Sequence, residues 1–358
     1  MSGSRNLRSV KMGRPRKLLA IDLFSGCGGM TLGLKQAGFR VIGAVDIDPL
    51  SVETYRKNHR GVRVWETDIR TLAASHVKKA LGIRKGDLAL LAGCPPCQGF
   101  SSMRTMNGGR RIRDPQNELV FEFLRFVEEL RPKAVMMENV PGLARDWRMQ
   151  HLVKRLTAMG YECNHSVLNA ADYGVPQRRR RVILLASLTG KIEFAPRDTN
   201  QVSVRDAIDD LSPAGRSGDP LHDLPEARSN RIKQLIRKIP CNGGSRMALG
   251  ERQQLRCHKD FGGFKDVYGR MSWDDVAPTI TGGCVNPSKG RFLHPAYNRA
   301  ITLREAALLQ TFPRDYHISL KRGKHSAASL IGNALPPEFI RRHAVEVVKH
   351  MGRPPRRE

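Results

Sequence analysis

The sequence predicts a doubly wound α/β domain whose sheet is mostly parallel. From Lys17 onward, strand-sized apolar runs alternate with helix-like segments. The apolar runs are continuous, as expected for parallel strands that helices cover on both faces. The first run ends in a Gly-rich turn that leads into a helix, the usual position of a ligand loop at the carboxyl end of such a sheet.

Each element follows from a local pattern. Continuous apolar runs predict strands at 18–24, 40–46, 88–92, 134–137 and 182–186. Helical spacing predicts helices at 30–37, from residue 49 onward and at 117–130. Pro49 suits a first helical position, and Pro132 ends the third helix. Thr302 and Glu305 form a capping box that predicts one more helix.

The alternation breaks after about residue 190. Residues 191–290 carry irregular runs of Gly, Pro, Asn and Ser, with one clear helix near 231–237. We therefore predict a main α/β domain over 17–190 plus 300–350, interrupted by a smaller, loop-rich domain over 191–299. Residues 1–16 and 351–358 are predicted to be basic tails.

Charge is the first indication of function. The 358 residues contain 61 Lys and Arg against 34 Asp and Glu, a net charge of +27. Such an excess favours a polyanionic partner, most commonly nucleic acid, over a basic surface without a partner. A hydrophobic share of 40% excludes wholesale disorder. No apolar run is long enough to span a membrane, and the N-terminal residues do not resemble a secretory signal peptide. We therefore expect a cytoplasmic, nucleoid-associated protein without membrane association.

The first candidate site is the turn Asp22-Leu-Phe24-Ser-Gly26-Cys-Gly28-Gly29. Asp46, 20 residues after Gly26, ends the second strand and suits the hydroxyls of a ribose. The spacing departs from G-x-G-x-x-G because residue 31 is Thr. The pattern indicates an adenosine-containing cofactor without separating NAD from S-adenosylmethionine, and a turn with packing value only is the alternative.

The second candidate is Cys94-Pro-Pro96-Cys97-Gln98, which follows the strand at 88–92. A zinc site lacks a second cysteine pair at suitable spacing. The two prolines do not suit a thioredoxin-like pair, which normally opens a helix. A single nucleophilic cysteine beside a nucleotide site is the remaining interpretation. The seven cysteines have no regular spacing and predict no disulfide framework.

Two further motifs border apolar strands. Glu138, in Met137-Glu138-Asn139-Val140-Pro141, could be a general acid, an N-cap or an ion-pair partner. Four consecutive arginines precede the strand at 182–186, and strand alternation sends Arg179 and Arg181 to one side. Arg178 and Arg180 then face the other side, where they can meet phosphates. A solvated charge run is the alternative.

Taken together and in this order, the motifs resemble those of the cytosine-C5 DNA methyltransferases of bacteria and phages. The glycine loop is similar to the family's cofactor motif, Pro96-Cys97-Gln98 to its nucleophile motif, and Glu138-Asn-Val to its acid motif. Gln177-x-Arg179-x-Arg181 resembles its paired-arginine motif. The likeness continues through Arg304-Glu-Ala-Ala and Ile331-Gly-Asn333-Ala334-Leu-Pro. It covers about 18–190 and 270–345, and the family places target recognition in the stretch between.

The resemblance implies a Rossmann-like methyltransferase that transfers a methyl group from S-adenosylmethionine to C5 of a flipped cytosine, releasing S-adenosylhomocysteine. Cys97 is the implied nucleophile at C6, with Glu138 as the acid at N3 and Arg179 and Arg181 on the O2 and phosphate side. Cys94 is expected only to shape the loop. No metal is implied. The implied cofactor residues are Phe24, Gly26, Gly28, Gly29, Asp46, Ile47, Asp68, Ile69, Pro96, Leu119, Asn333 and Ala334.

Duplex DNA is the expected substrate, and base flipping is required because the target atoms lie inside the helix. The segment 103–114 is rich in Gly and Arg, which suits a lid that grips phosphates rather than an ordinary surface loop. The expected DNA contacts are Gln98, Ser101, Arg104, Arg110, Arg111, Arg113, Arg178 and Arg180.

Three other functions stay open at this point. A tRNA cytosine-C5 methyltransferase shares the architecture, but its usual Pro-Cys-Gln-Pro-Phe-Thr loop and Cys-Phe-Thr tripeptide are absent. A catalytically inactive DNA-binding protein would not need Cys97 and Glu138, and a dehydrogenase leaves the arginine motif unexplained. We expect a monomeric restriction-modification or solitary methylase, in the first case with a separate cognate endonuclease.

Overall fold

The computed structural model describes residues 18–96, 115–250 and 266–352. Its strands form one sheet in the order β3-β2-β1-β4-β5-β7-β6. In chain order they are β1 Leu19–Leu23, β2 Arg40–Asp46, β3 Arg63–Glu66, β4 Leu90–Gly93, β5 Ala134–Asn139, β6 Glu162–Asn169 and β7 Arg180–Ser187. The first five strands pair in parallel, whereas β7 runs antiparallel to both β5 and β6.

Helices cover both faces of this sheet. In chain order the described helices are α1 Gly29–Gln36, α2 Pro49–Asn58, α3 Ala74–Ala80, α4 Leu119–Leu130, α5 Trp147–Ala158, α6 Val204–Ile208, α7 Asn230–Lys238, α8 Leu303–Leu309, α9 Gly323–Asn333 and α10 Pro337–Met351. Of these, α6 to α9 pack in separate apolar cores of the inserted and C-terminal segments rather than on the sheet. In β4, Leu91 packs in a core with α3, α4 and α5, and Leu90 packs in a second core with α1 and α10. The predicted doubly wound, mostly parallel architecture is therefore confirmed. None of the helices in the described ranges combines the length and apolar character needed to cross a membrane.

Helix starts follow the predicted chemistry. Pro49 opens α2, and the Asp48 carboxylate accepts a hydrogen bond from the Ser51 amide at 3.0 Å. The capping box of α8 forms, with the Thr302 hydroxyl accepting from the Glu305 amide and the Glu305 carboxylate accepting from the Thr302 amide. These caps satisfy amide groups that the first helical turn leaves without partners.

The structure adds elements that the sequence patterns do not predict. The strands β3 and β6 form the two edges of the sheet, and α5 precedes β6. The segment 191–290 contains the short helix α6 in addition to the predicted helix, which spans Asn230–Lys238. β7 is antiparallel because only the ten residues 170–179 separate it from β6, too few for a crossover helix.

The inserted segment packs mainly against the chain that follows it. A third apolar core joins residues between 204 and 292 to residues between 301 and 331. A small fourth core lies under α7 and is organised around the fully buried Arg270. The Arg270 guanidinium donates to the main-chain carbonyls of Ile236, Ile239, His294 and Tyr297. One buried side chain thus ties the end of α7 and the segment 294–297 to the chain around residue 270.

Candidate active site

The candidate residues converge on one edge of the sheet. The glycine loop follows β1, Asp46 ends β2, Cys94 follows β4 and Glu138 lies near the end of β5. β7 begins at the same edge because it runs in the opposite direction, with Asn139 paired to Val182. Polar side chains from five strands can therefore face one cleft, as is usual for ligand sites in such sheets.

The glycine loop adopts a left-handed backbone at Phe24 (φ 59°), Gly26 (φ 54°) and Gly28 (φ 99°). At Gly26 a Cβ atom would meet nothing within 4 Å, so this residue borders open space. At Gly28 a Cβ would lie 2.3 Å from the His59 imidazole. At Gly29 it would lie 2.3 Å from the Leu335 carbonyl oxygen. Gly28 and Gly29 are therefore required by packing, and Gly26 is the glycine that leaves room for a ligand.

Asp46 is linked directly to this loop. Its Oδ2 accepts a hydrogen bond from the Gly26 amide at 2.7 Å, and its Oδ1 accepts from the Asp48 amide at 2.9 Å. Burial raises the pKa of the Asp46 carboxyl. The next residue, Ile47, has 62% of its surface exposed. A carboxylate with further lone pairs, an exposed apolar side chain and the space beside Gly26 together fit an adenosine-type ligand.

The remaining cofactor candidates surround the same edge. Ile69 is buried, and the Asp68 carboxylate accepts hydrogen bonds from both Nε and Nη2 of Arg70. Asn333 is exposed, and Ala334 is half-buried beside Leu335. Phe24, Pro96 and Leu119 are also half-buried. Because the Leu335 carbonyl packs against Gly29, the motif at 331–336 lies beside the glycine loop.

A buried polar network lies beneath the glycine loop. The Thr31 hydroxyl donates to Asp22 Oδ2 at 2.7 Å and lies 2.8 Å from the Tyr55 hydroxyl. Asp22 Oδ1 is buried with no hydrogen-bond partner among the described residues. Burial raises the pKa of Asp22 to about 7, against the opposing effect of the Thr31 hydrogen bond. The Tyr316 hydroxyl donates to the Cys27 carbonyl at 2.6 Å and so connects the loop to the C-terminal part.

Replacement of Asp22 by Asn should make the protein more stable at alkaline pH. The pKa of this carboxyl rises on folding, so the folded state binds more protons than the unfolded state. The contribution of Asp22 to the free energy of unfolding is therefore complete below about pH 4 and is lost as the pH rises towards 7. Above pH 7 the native protein buries a charge that Asn avoids while still accepting from Thr31. We expect D22N to gain about 2–3 kcal/mol more, relative to wild type, at pH 8 than at pH 5. Denaturant unfolding of both proteins at pH 5 and at pH 8 measures this. If the free energy of unfolding of D22N differed from that of wild type by the same amount at both pH values, the prediction would be contradicted.

Glu138 is a buried acid of the cleft that contacts both the cysteine loop and the arginine run. Only 1% of the residue is exposed, and its carboxylate lies 2.9 Å from the Arg181 Nε. The Cys94 thiol donates to the second carboxylate oxygen at 2.8 Å. The neighbouring Asn139 amide donates to the Pro95 carbonyl at 2.8 Å and so fixes the main chain two residues before Cys97. The acid and the cysteine loop are thereby attached to each other.

The arginine run divides as strand alternation predicts. Arg178 and Arg180 are exposed, whereas Arg179 is buried and Arg181 is mostly buried. The Arg179 guanidinium donates to the carbonyls of Ile280 and Gly332 at 3.0 and 3.1 Å. Burial, with the nearby Arg181, lowers the pKa of Arg179 to about 9, which leaves it protonated at neutral pH. Arg179 therefore ties the site to the inserted and C-terminal segments, and Arg181 faces Glu138.

Two glutamines connect the same segments. Gln177 donates to the side chain of Gln310 at 2.8 Å and accepts from the Ile280 amide at 2.9 Å. Gln310 in turn donates to the Ile331 carbonyl at 2.6 Å. The two contacts of Gln177 span 133 and 103 residues, and the contact from Gln310 to Ile331 spans 21. The sequence predicts no role for either glutamine, although Gln177 lies in the paired-arginine motif, because an amide has no periodicity that reveals its partner.

Part of the predicted site lies outside the described residues. This applies to the segment 103–114, to both tails beyond residues 18 and 352, and to seven predicted site residues, which are Cys97, Gln98, Ser101, Arg104, Arg110, Arg111 and Arg113. The described part is a buried carboxylate held by a guanidinium and a thiol, beside an open glycine loop. That arrangement can hold or supply a proton next to a planar heterocycle.

Comparisons with known proteins agree with this geometry. A sequence model of the family described as C-5 cytosine-specific DNA methylase matches residues 18–349. The Type II methylase M.HgiDII of Herpetosiphon aurantiacus is 36% identical, covering 88% of this chain and 91% of that protein. The Type II methyltransferase M1.HphI of Haemophilus parahaemolyticus is 34% identical, covering 93% of this chain and 87% of that protein.

Solved structures show the same fold. A DNA modification methyltransferase encoded within an E. coli prophage superposes with a TM-score of 0.68 at 26% identity, covering 94% of this chain and all of that one. The Dnmt2 methyltransferase of S. pombe superposes with a TM-score of 0.61 at 20% identity, over 94% of this chain and all of that one. The second likeness concerns the fold alone.

Proposed function

The chain belongs to the C-5 cytosine-specific DNA methylase family, and from this premise we propose that it methylates C5 of a flipped cytosine within one short duplex sequence, through a covalent bond from Cys97 to C6. The observation that carries the proposal is the pairing of Glu138 with Arg181 beside the main chain that leads into Cys97. The names of M.HgiDII and M1.HphI further support a Type II, restriction-modification role.

The proposed chemistry needs each of these groups. C5 of cytosine is a poor nucleophile, so a thiolate from Cys97 first adds to C6 and moves electron density toward N3. Glu138 supplies a proton or a hydrogen bond at N3 and accepts one from the amino group that distinguishes cytosine from thymine. Arg181, which faces Glu138, is assigned to O2. C5 then forms a bond to the methyl group as the sulfur–methyl bond breaks, which leaves S-adenosylhomocysteine. Loss of the C5 proton to a base, with expulsion of the Cys97 thiolate and return of any N3 proton to Glu138, restores the ring.

S-adenosylmethionine is the proposed methyl donor, and when bound it supplies an electrophilic methyl group on a sulfonium. The open space beside Gly26 and the carboxylate of Asp46 fit its adenosine and amino-acid parts. Ile47 and Phe24 are assigned to the adenine ring, and Asp46 to the ribose hydroxyls. Pro96, Leu119, Asn333 and Ala334 are proposed to complete the pocket, as are Gly28, Gly29, Asp68 and Ile69.

Replacement of Asp46 by Ala should weaken cofactor binding more than DNA binding. The carboxylate accepts from the glycine-loop amide and is proposed to accept from the ribose, so both contacts are lost. We expect at least a tenfold increase in the Kd for S-adenosylhomocysteine, about 1.4 kcal/mol or more, with a change in DNA affinity below threefold. Isothermal titration with each ligand measures both. Asp87→Ala is the control, because Asp87 also accepts from a main-chain amide but lies at the opposite edge of the sheet, and it should change neither Kd. A larger effect of Asp46→Ala on DNA than on cofactor would contradict the ribose assignment.

The inserted segment 191–299 is the proposed target-recognition domain. Its helix α7 is amphipathic, with Leu235 and Ile236 buried and four exposed cations on the other side. These cations, Arg231, Lys233, Arg237 and Lys238, make no hydrogen bond or ion pair with the described residues. Beside them lies a cavity of about 220 Å³ lined in part by Arg228, Lys233 and Arg237. Unpaired cations concentrated on one helix fit the phosphates of duplex DNA.

Neutralising this helix face should reduce the salt dependence of DNA binding. Replacing Arg231, Lys233, Arg237 and Lys238 by Gln removes up to four phosphate contacts, and each contact changes the slope of log K against log salt by about 0.9. We expect the slope to become shallower by about 2 to 4. Fluorescence anisotropy over a salt series measures it.

A matched variant replaces four exposed cations near the amino-terminal edge of the sheet, away from the cleft, with Gln: Lys79, Arg84, Lys85 and Lys133. This control should change the slope by less than 1. Equal changes in both variants would mean that net charge, rather than the α7 face, controls binding.

The function is tested by base-resolution mapping of 5-methylcytosine in unmethylated genomic DNA after incubation with the protein and S-adenosylmethionine. Methylation at one short motif supports the proposal and identifies the target sequence. Methylation of transfer RNA alone would mean that the protein is an RNA methyltransferase, and no methylation of either nucleic acid would favour a DNA-binding protein.

We propose that the protein is a cytoplasmic monomer. For a restriction-modification role we also propose a separate cognate endonuclease. Light scattering tests the monomeric state.

A further inference from the structure

We propose that Cys94 is a positioning residue that holds Glu138 in its reactive orientation, an inference that rests on the proposed function. Cys94 and Cys97 flank the two prolines of the loop after β4, and the resemblance to the family implies a nucleophile at Cys97 alone. The structure nevertheless brings the Cys94 thiol 2.8 Å from Glu138 Oε2. This contact links β4 to β5 at the site edge of the sheet.

The geometry makes the thiol a donor and the carboxylate its acceptor. Burial, together with the Glu138 carboxylate, raises the pKa of Cys94 well above its usual value, so the group keeps its proton at neutral pH. Arg181 approaches the other carboxylate oxygen at 2.9 Å. The Arg181 contact is an ion pair without hydrogen-bond geometry, so Glu138 Oε1 has no hydrogen-bond partner among the described residues. The cation therefore balances the charge of Glu138, whereas the Cys94 thiol makes the directional contact that sets the plane of the carboxylate.

A thiol suits this role because it is a weak hydrogen-bond donor. It orients the carboxylate in the free enzyme yet competes little with the N3 and amino groups of a cytosine that enters the cleft. The charged Arg181 holds Glu138 more strongly but leaves rotation about the Oε1 contact open. Cys94 removes this freedom at small cost to substrate binding.

Three variants separate positioning from packing. Cys94→Ala removes the donor, and Cys94→Ser keeps a donor at the same position. Cys163→Ala is the matched control, because Cys163 is also a half-buried cysteine next to the sheet core but lies on the edge strand β6. Single-turnover methylation of a DNA duplex that contains the mapped target gives the rate, and separate titrations give Kd for DNA and for S-adenosylhomocysteine.

We expect C94A to lower the single-turnover rate about fivefold to twentyfold with both Kd values within twofold of wild type. C94S should recover at least half of the wild-type rate, and C163A should keep all of it. A wild-type rate in C94A would overturn the proposal. Equal losses in C94A and C94S would also overturn it, because a packing defect does not depend on a donor. These outcomes are distinct from failure of the proposed function, in which wild-type protein itself transfers no methyl group.

Discussion

Replacing Cys97 by Ser should abolish methylation and leave DNA binding almost unchanged. Addition to C6 needs a soft nucleophile that is later expelled, and a serine alkoxide is scarcely available at neutral pH. We expect the single-turnover rate to fall by at least about a thousandfold, as is typical when an enzyme loses its nucleophile. The change replaces one sulfur by oxygen, so the Kd for a target duplex should stay within threefold. Transfer of a labelled methyl group and fluorescence anisotropy measure the two quantities.

Cys163→Ser is the matched substitution, since it makes the same chemical change on β6. It should keep full activity. If C97S still turned over at an appreciable rate, the nucleophile would have to be another residue. In that case Cys94 is the first alternative, because its thiol already lies at the acid.

The central part of the fold is predictable from the sequence because its strands are buried on both faces. Residues 90–93 and 134–139 are buried throughout, and the apolar runs 88–92 and 134–137 that mark these two strands are continuous and easily recognised. The edge strands are different. Arg63–Glu66 and Glu162–Asn169 are partly exposed and mix polar with apolar residues, so neither predicts a strand by itself. The antiparallel direction of β7 depends on β6 and could not be predicted without it.

The candidate site is likewise predictable from the sequence only in part. Motifs that lie at strand ends, such as the glycine loop and Glu138, converge because parallel strands bring their carboxyl ends to one edge. Contacts between distant segments carry no such regularity. The donation from Arg179 to the Gly332 carbonyl spans 153 residues, and the link from Gln177 to Gln310 spans 133. Only the folded chain shows that these residues attach the C-terminal motif to the site.

Replacing Glu138 by Gln should lower the methylation rate by a factor of about a hundred to ten thousand, the usual contribution of a positioned acid. The amide preserves the size of the side chain and an acceptor for the Cys94 thiol, but it cannot protonate N3 as the Cys97 adduct forms. Arg181 loses its ionic partner and is mostly buried, so a small loss of stability accompanies the change. Single-turnover rates and thermal unfolding measure both effects.

Glu338→Gln is the matched control, because Glu338 is also a partly buried carboxylate, paired with Arg341 and Arg342 on α10. It should lose comparable stability while methylating at the wild-type rate, so that a rate defect confined to E138Q is chemical rather than structural. DNA affinity should change by less than threefold in both variants. If Glu138→Gln methylated at the wild-type rate, solvent or Arg181 would have to satisfy N3 of the cytosine. The proposed role of Cys94 would then also be wrong, because a thiol that orients Glu138 matters only if Glu138 acts on the base.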